Sequence, residues 1–327
     1  TTLNGANGFK ISGAVAGDQL GSAVSSAGDI NGDGYDDIIV GAWQATGNAA
    51  FSGTSYVIFG HAGGFADIDL STPLNGTNGF KISGVGMVAS LGNSVSSAGD
   101  VNGDGYDDII VGAYQATGGA ASSGAAYVIF GHAGGFAANI DLSTPLDGTN
   151  GFKISGVAGG HALGRSGPHA GDINGDGYDD IIVGAAGASS SYVIFGHAGA
   201  YAANINVSTL NGTDGFVLNG VAGSAGYSVS SAGDLNGDGY DDLIVGAPNS
   251  NTSYVVFGHA GAYAASINLS TLNGADGFRL TGAAGFAGFS VSNAGDLNGD
   301  GYDDIIVGAY QATGDANQSG ASYVVFG

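Results

Sequence analysis

The stretch Asp29–Ala42 reads DINGDGYDDIIVGA: four carboxylates within nine residues, followed at once by a β-branched apolar run. It returns as DVNGDGYDD from Asp100, DINGDGYDD from Asp172, and DLNGDGYDD from Asp234 and Asp296, at spacings of 71, 72, 62 and 62 residues. Other phrases keep step with it. GFKISG begins at Gly8, Gly79 and Gly151, with GFVLNG at Gly215 and GFRLTG at Gly277. YVIFG or YVVFG begins at Tyr56, Tyr127, Tyr192, Tyr254 and Tyr323. A period that runs the length of a chain marks a repeat architecture. Residues 1–327 therefore read as one domain made of five copies of one unit.

Each unit offers four short β-like runs between turn signals. In the second unit, NSVSSAG (Asn93–Gly99) alternates small and apolar residues and DIIVGA (Asp108–Ala113) is β-branched. AYVIFG (Ala126–Gly131) is aromatic and β-branched, and GFKISG (Gly151–Gly156) sets Phe152 and Ile154 against Lys153 and Ser155. These are strands A, B, C and D. Four strands per unit predict a propeller blade, since a β-solenoid has shorter and more uniform rungs. The sequence begins just before a D-type run, Gly8–Ser12, and ends on a C-type run, Ser322–Gly327. Pairing these two would remove two open sheet edges. The expected fold is all-β: a closed β-propeller of five four-stranded blades, the N-terminal strand completing the last blade. The competing reading is a piece of a longer array. The lack of an initiator Met and of a signal segment fits a processed protein or an excised part of a larger chain.

Composition supports strands and turns. Gly accounts for 66 of 327 residues, yet 43% of the chain is apolar, which is too much for a disordered Gly-rich linker. All 28 acidic residues are Asp. Glu favours helices, whereas Asp and Gly favour turns. There is no Cys, hence no disulfide and no thiolate metal site. No apolar run approaches the ~18–20 residues of a membrane helix, so no membrane insertion is expected. A net charge of −23 opposes binding to nucleic acid and to anionic membranes.

Four carboxylates in one turn repel one another unless a cation neutralises them. In the pattern Asp-x-Asn-x-Asp-Gly-Tyr-Asp-Asp, positions one, three, five and nine offer side-chain oxygens and position seven a backbone carbonyl. This all-oxygen set suits Ca²⁺, with Gly at position six permitting a sharp turn. The expected ligands in loop 29–37 are Asp29, Asn31, Asp33, the Tyr35 carbonyl and Asp37. In loop 100–108 they are Asp100, Asn102, Asp104, Tyr106 and Asp108, and in loop 172–180 Asp172, Asn174, Asp176, Tyr178 and Asp180. Loop 234–242 supplies Asp234, Asn236, Asp238, Tyr240 and Asp242, and loop 296–304 Asp296, Asn298, Asp300, Tyr302 and Asp304. The expectation is about one Ca²⁺ per blade. Asp36 faces away from the ion in an extended chain. An EF-hand begins almost identically but needs Glu at position twelve and flanking helices. Here position twelve is Val40, Val111, Val183, Val245 or Val307, inside a β-branched run. An acidic turn without metal is the plainer alternative. Against it, 20 of the 28 acidic residues lie in these five loops.

The unit resembles the FG-GAP repeat of the integrin α-subunit β-propeller. That family has a small-residue strand, a Ca²⁺ hairpin of D-x-[DN]-x-D-G-x-x-D type, then VGAP and a YVF-like strand. VGAP stands intact only at Val245–Pro248; the other units read VGAW, VGAY, VGAA and VGAY. The FG element is also loose: QLGSAV, SLGNSV, ALGRSG, SAGYSV and FAGFSV. Integrins have seven blades and carry metal in only some, whereas five units with five intact loops stand here. The family also includes lectins and appendages of secreted enzymes.

The third unit departs from the pattern, with SGPHAG at Ser166–Gly171 where others read SVSSAG. Pro168 removes a ladder donor, which is tolerable on a strand edge lining a channel. Arg165, His161 and His169 lie close by in sequence; drift on a permissive edge explains them more simply than a special site. The segment between strands B and C has 13 residues in units one, two and five and 6 in units three and four. The long segments open with WQATG or YQATG: Trp43 and Gln44, Tyr114 and Gln115, Tyr310 and Gln311. In a closed ring, units five, one and two are neighbours, so these loops form one arc. The resemblance puts the arc on the face opposite the Ca²⁺ hairpins and makes that face the ligand-binding one. Aromatics beside Gln suit a glycan or a protein. Packing of the three aromatics between blades is the competing reading. His61, His132, His197 and His259 follow strand C as FGHAG and are expected to make turn hydrogen bonds. N-x-[ST] sequons include Asn75, Asn206, Asn211 and Asn268.

No G-x-S-x-G, Cys or Glu supplies a nucleophile or base, and the Asp residues are committed to metal, so no enzyme is expected. The reading is a calcium-binding, extracellular or cell-surface adhesion and protein-interaction module, a monomeric domain of a larger secreted chain. The alternatives are a lectin-type propeller and a structural appendage.

Overall fold

The computed structural model describes residues 3–220, 223–282, 284–313 and 318–327. All regular structure among them is β except four three-residue 3-10 turns. Unit two shows how sequence becomes blade. Strand A (Ser94–Gly99) pairs antiparallel with strand B (Asp108–Ala113), B with strand C (Ala125–Ile129), and C with strand D (Gly151–Ser155). The alternation in GFKIS places Phe152 and Ile154 at 0% exposure while Lys153 stays half-buried. Strand C always meets D in one register: Tyr56 opposite Lys81, Tyr127 opposite Lys153, Tyr192 opposite Val217 and Tyr254 opposite Arg279.

Two features depart from the four-stranded blade. The sheets of units one to three carry a fifth, short strand lent by the following unit. Asn139–Asp141 lies parallel to Gly79–Ser83, Asn204–Asn206 to Gly151–Ser155, and Ser266–Asn268 to Gly215–Asn219. Its sequence signal is the recurring IDLST, INVST or INLST, whose Asp or Asn accepts from the N–H two residues on, as in Ser143 to Asp141 and Ser208 to Asn206. A three-residue run is too short to stand out by periodicity, yet it covers the outer edge of D. The second departure is at the ends. The N-terminal strand does not complete the last blade. Ile11–Ser12 pairs parallel with Ile68–Asp69, and Ala321–Val325 pairs only with Asp304–Ala309 among the described residues. The first D strand thus takes the local fifth-strand partner, only 57 residues away, and the ring of five is not closed by strand pairing.

The core lies between blades. One cluster joins Ile39, Val57, Phe80 and Ile82 of the first blade to Leu91, Val95, Ile109 and Val111 of the second, and equivalent clusters join two to three, three to four and four to five. At the outer end of each interior blade three aromatics stack. Phe152 lies 4.5 Å from Tyr201 and 5.8 Å from Phe130; Phe80 with Phe136 and Phe59, and Phe216 with Tyr263 and Phe195, repeat this. Strand A of unit three shortens to His169–Gly171. The Pro168 and Ser166 carbonyls still accept from Ile182 and Gly184, so Pro costs only its own donor, as expected of an edge.

Phe152→Ala should cost about 3–5 kcal/mol in urea denaturation. A loss below about 1 kcal/mol would show that the aromatic trio is not part of the inter-blade core.

Candidate functional site

A bulge at the end of strand A aims the chain into the acidic loop. In unit one the register shifts between Ser26 and Gly28, and Gly28 adopts φ +65°. The loop then folds on its own side chains. Asp29 accepts from the N–H groups of Asp33 (3.0 Å) and Gly34 (2.8 Å), Asn31 accepts from Asp33 (2.8 Å), and Asp33 accepts from Tyr35 (3.0 Å). Asp37, at 1% exposure, accepts from Ile30 (3.2 Å) and Gly60 (2.7 Å), tying the loop to the end of strand C. The loops from Asp100, Asp172 and Asp234 repeat this geometry. The loop from Asp296 does so as well, with Asp304 accepting from Leu297 and Gly327.

The structure thus gathers positions one, three and five of each loop into one turn and fastens position nine beneath it. Among the described residues no three Asp or His side chains converge closely enough to form a ready-made ligand cluster. The donors do fit a hard divalent cation chemically, being carboxylate, amide and carbonyl oxygens without nitrogen or sulfur. The electrostatics also lack a positive partner. Burial pushes the Asp37 carboxyl up to about 7, against the Gly60 and Ile30 N–H groups and with Asp33 and Asp29 adding to the rise. Burial likewise raises Asp108 and Asp180 to about 8 and Asp242 to about 7, with the loop's other carboxylates contributing.

Position eight has a role that sequence reasoning missed. Asp107 accepts from the N–H of Asp29 in the preceding loop at 2.8 Å, and Asp179, Asp241 and Asp303 do the same for Asp100, Asp172 and Asp234 at 2.9–3.0 Å. A side chain at Gly28 would run into the Asp107 carboxyl, and one at Gly32 into the Tyr106 ring. Recurrence of both Asp and Tyr in all five loops was the available signal. The His residues behave as expected and do more. His61, His132, His197 and His259 each place Nδ1 3.0–3.1 Å from the next residue's carbonyl, and each stacks on Phe65, Phe136, Tyr201 or Tyr263 at 4.0–4.1 Å.

The aromatics at the far ends of the strands are arranged differently from the expected arc. With strand pairing leaving the ring open, units five and one are not joined. Trp43 is half-buried and donates from Nε1 to Gln19 at 3.1 Å, and Gln44 is half-buried beside it. Gln115 accepts from Ser90, and the Gln311 backbone N–H donates to Gly285. Tyr114 and Tyr310 instead terminate a row across units two to five. The Arg165 guanidinium lies 5.7 Å from the Tyr114 ring and 4.2 Å from that of Tyr227. Tyr227 stands 5.0 Å from Phe289, and Phe289 4.5 Å from Tyr310. Arg165, Tyr227 and Phe289 hold one repeat position, filled by Ser22 and Asn93 in units one and two. A cavity of about 520 Å³ opens beside Phe289 and Tyr310.

Successive small sheets that pack through their faces and meet at acidic hairpins are the build of a propeller-type repeat protein. The chain belongs to the FG-GAP repeat family, whose model matches residues 20–58, 91–129, 165–202, 225–267 and 287–325. It is 32% identical to integrin alpha-PS5 of Drosophila melanogaster over 54% of this chain and 16% of that protein. It is 29% identical to integrin alpha-5 of Xenopus laevis over 72% of this chain and 22% of that protein. With human integrin alpha-6 the identity is 32% over 42% of this chain and 12% of that protein. The chain therefore spans less than a quarter of the length of these relatives.

Asp107→Ala should lower stability by about 1–3 kcal/mol, the cost of a buried donor left unpaired. Asp36→Ala, whose carboxylate has no hydrogen-bond partner among the described residues, should change it by less than about 0.5 kcal/mol at high dilution. Equal losses in chemical denaturation would show that the position-eight tie is not what joins the loops.

Proposed function

We propose that this chain is a calcium-stabilised propeller-type module for adhesion or protein interaction outside the cell, without catalytic activity. The observation that carries the reading is five FG-GAP units, each with an acidic loop, in a chain whose relatives are integrin alpha subunits. The ligands in each loop would be the side chains at positions one, three, five and nine with the carbonyl at position seven: Asp29, Asn31, Asp33, Tyr35 and Asp37 in the first. Bound Ca²⁺ would neutralise carboxylates that burial and mutual repulsion now disfavour. No helix among the described residues is long and apolar enough to cross a membrane. The partner would meet the face opposite the acidic loops, where the row from Tyr114 to Tyr310 lies. A second reading, glycan binding there, is favoured by the stacked, partly exposed rings of Phe289 and Tyr310 beside the cavity.

In EGTA, stability should fall as pH rises from about 4 to about 8. Asp37, Asp108, Asp180 and Asp242 titrate at about 7–8 in the fold but at the ordinary 3.8 when exposed. The folded chain then holds protons that the unfolded chain has lost, so this stabilisation is complete below the ordinary value and lost through the raised one. Ca²⁺ should reverse the slope. Site affinities of roughly 10⁻⁴–10⁻³ M are expected, each site adding about 2.7 kcal/mol at a hundredfold excess over Kd. Calorimetry on Asp33→Ala should count one ion fewer. A melting temperature indifferent to both EGTA and Ca²⁺ would rule the metal reading out.

Replacing Trp43, Tyr114 and Tyr310 together by Ala should abolish partner binding with little change in melting temperature. A glycan array run in Ca²⁺ separates the two readings: hits that vanish in the triple variant support the lectin. A steep drop in melting temperature would make these rings packing elements and remove the face as a binding site.

A further inference from the structure

The two ends of the array expose the two separated halves of the interface that joins its units internally. Inside the array, each loop presents an N–H at position one, a carbonyl at position two and a Gly at position four. The next unit meets these with its position-eight carboxylate, the His N–H after strand C and its position-seven Tyr ring. Thus Asp29 donates to Asp107, His132 donates to the Ile30 carbonyl at 3.0 Å, and Tyr106 covers Gly32.

At the C-terminal end the receiving half stands open. The Asp296 N–H has no acceptor among the described residues, and nothing lies within 4 Å of a side chain placed at Gly295 or Gly299. Leu297 is 60% exposed, where Ile30, Val101, Ile173 and Leu235 are at 0–3%. The outer edge of Ala321–Val325 is unpaired, and Phe326, in the place of Phe59, Phe130 and Phe195, is 58% exposed.

At the N-terminal end the inserting half stands open. The Asp36 carboxylate is unpartnered among the described residues. Val24 is 67% exposed, against 8% for Val95 and 4% for Val229. The edge of the first D strand that would face a strand C is free, while Phe9 already stacks on Phe65 at 4.5 Å, as Phe80 does on Phe136 at 4.6 Å. The third ring of that trio is the one Phe326 offers.

We propose that the C-terminal end of one chain receives the N-terminal end of a second copy. Gly8–Ser12 of one copy adds antiparallel to Ala321–Val325 of the other, with Lys10 opposite Tyr323 in the register of the four internal C–D pairs. Asp36 then accepts from the Asp296 N–H, and Phe326 completes the trio with Phe9 and Phe65. The contact is heterologous and extends the array head to tail. A second copy is the occupant because it carries every complementary group at the required spacing, while the chain's own two ends do not pair.

Sedimentation velocity across a concentration series tests this, with a synthetic peptide of residues 4–13 as the probe. Mass should rise above the 31.6 kDa of one chain with concentration, and the peptide should return it to one chain. A peptide carrying Phe9→Ala should compete at least tenfold more weakly. Asp36→Ala in the full chain should weaken association at least tenfold while leaving the melting temperature of the dilute protein unchanged. A mass of one chain at every concentration overturns the proposal, as does an oligomer that the wild-type peptide leaves intact.

Discussion

The hydrogen bond from the first N–H of one acidic loop to the position-eight carboxylate of the next is the constraint on which the rest depends. It fixes the distance and angle between successive hairpins at the edge where each blade meets its neighbour. A glycine before the loop makes room for that carboxylate, and a glycine inside the loop makes room for the neighbouring tyrosine. With hairpins held so, the faces of successive sheets close on Val, Ile, Leu and Phe side chains at near-zero exposure. The polar tie sets the geometry; burial of the apolar faces supplies most of the free energy.

The same loops concentrate the molecule's electrostatic cost. A chain with five Lys and Arg cannot answer its acidic residues with salt bridges. Backbone N–H groups take that part instead: the carboxylates of Asp29, Asp33 and Asp37 are all occupied by main-chain donors. Such donors orient a carboxylate without cancelling its charge, which is why the buried position-nine groups remain shifted upward. Asp rather than Glu is required throughout, because the short side chain reaches N–H groups two to five residues on within one turn.

The blade was legible in the sequence almost to the residue. Strands A, B and D of unit two match their expected spans closely because each is bounded by Gly or Asp and carries a clear alternation or β-branched run. The acidic turn was equally plain. What escaped was non-local. Nothing in Asn139–Asp141 announces that it will lie beside Gly79–Ser83 of the preceding blade. Closure failed as an inference because identical repeats carry no mark of which units are terminal: GFKIS at Gly8 and at Gly79 read alike, yet only the second finds a strand C. Asp107 looked idle because its partner belongs to another unit.

Where the repeats agree and where they differ separates scaffold from recognition. Loop, bulge glycine and core positions contact their counterparts in the next unit, so a change in one copy strains two interfaces and the copies stay alike. The position filled by Ser22, Asn93, Arg165, Tyr227 and Phe289 lies at the opposite end of strand A, outside the inter-blade core. There the side chains meet each other in a row, Arg165 on Tyr227 and Tyr227 on Phe289, and each can vary without disturbing the stack of blades. A repeat protein gains specificity only by breaking its own symmetry, and this rim is where symmetry is broken at least cost to the fold. Arg165 sharpens the point. It brings a positive charge to one rim of a molecule of net charge −23, and holds it between two tyrosine rings rather than beside a carboxylate. A cation stacked on aromatic faces keeps its hydrogen-bond donors directed outward in the ring plane. The rim therefore offers an approaching ligand a polar, cationic point flanked by flat apolar surfaces, while the opposite face offers only carboxylate loops.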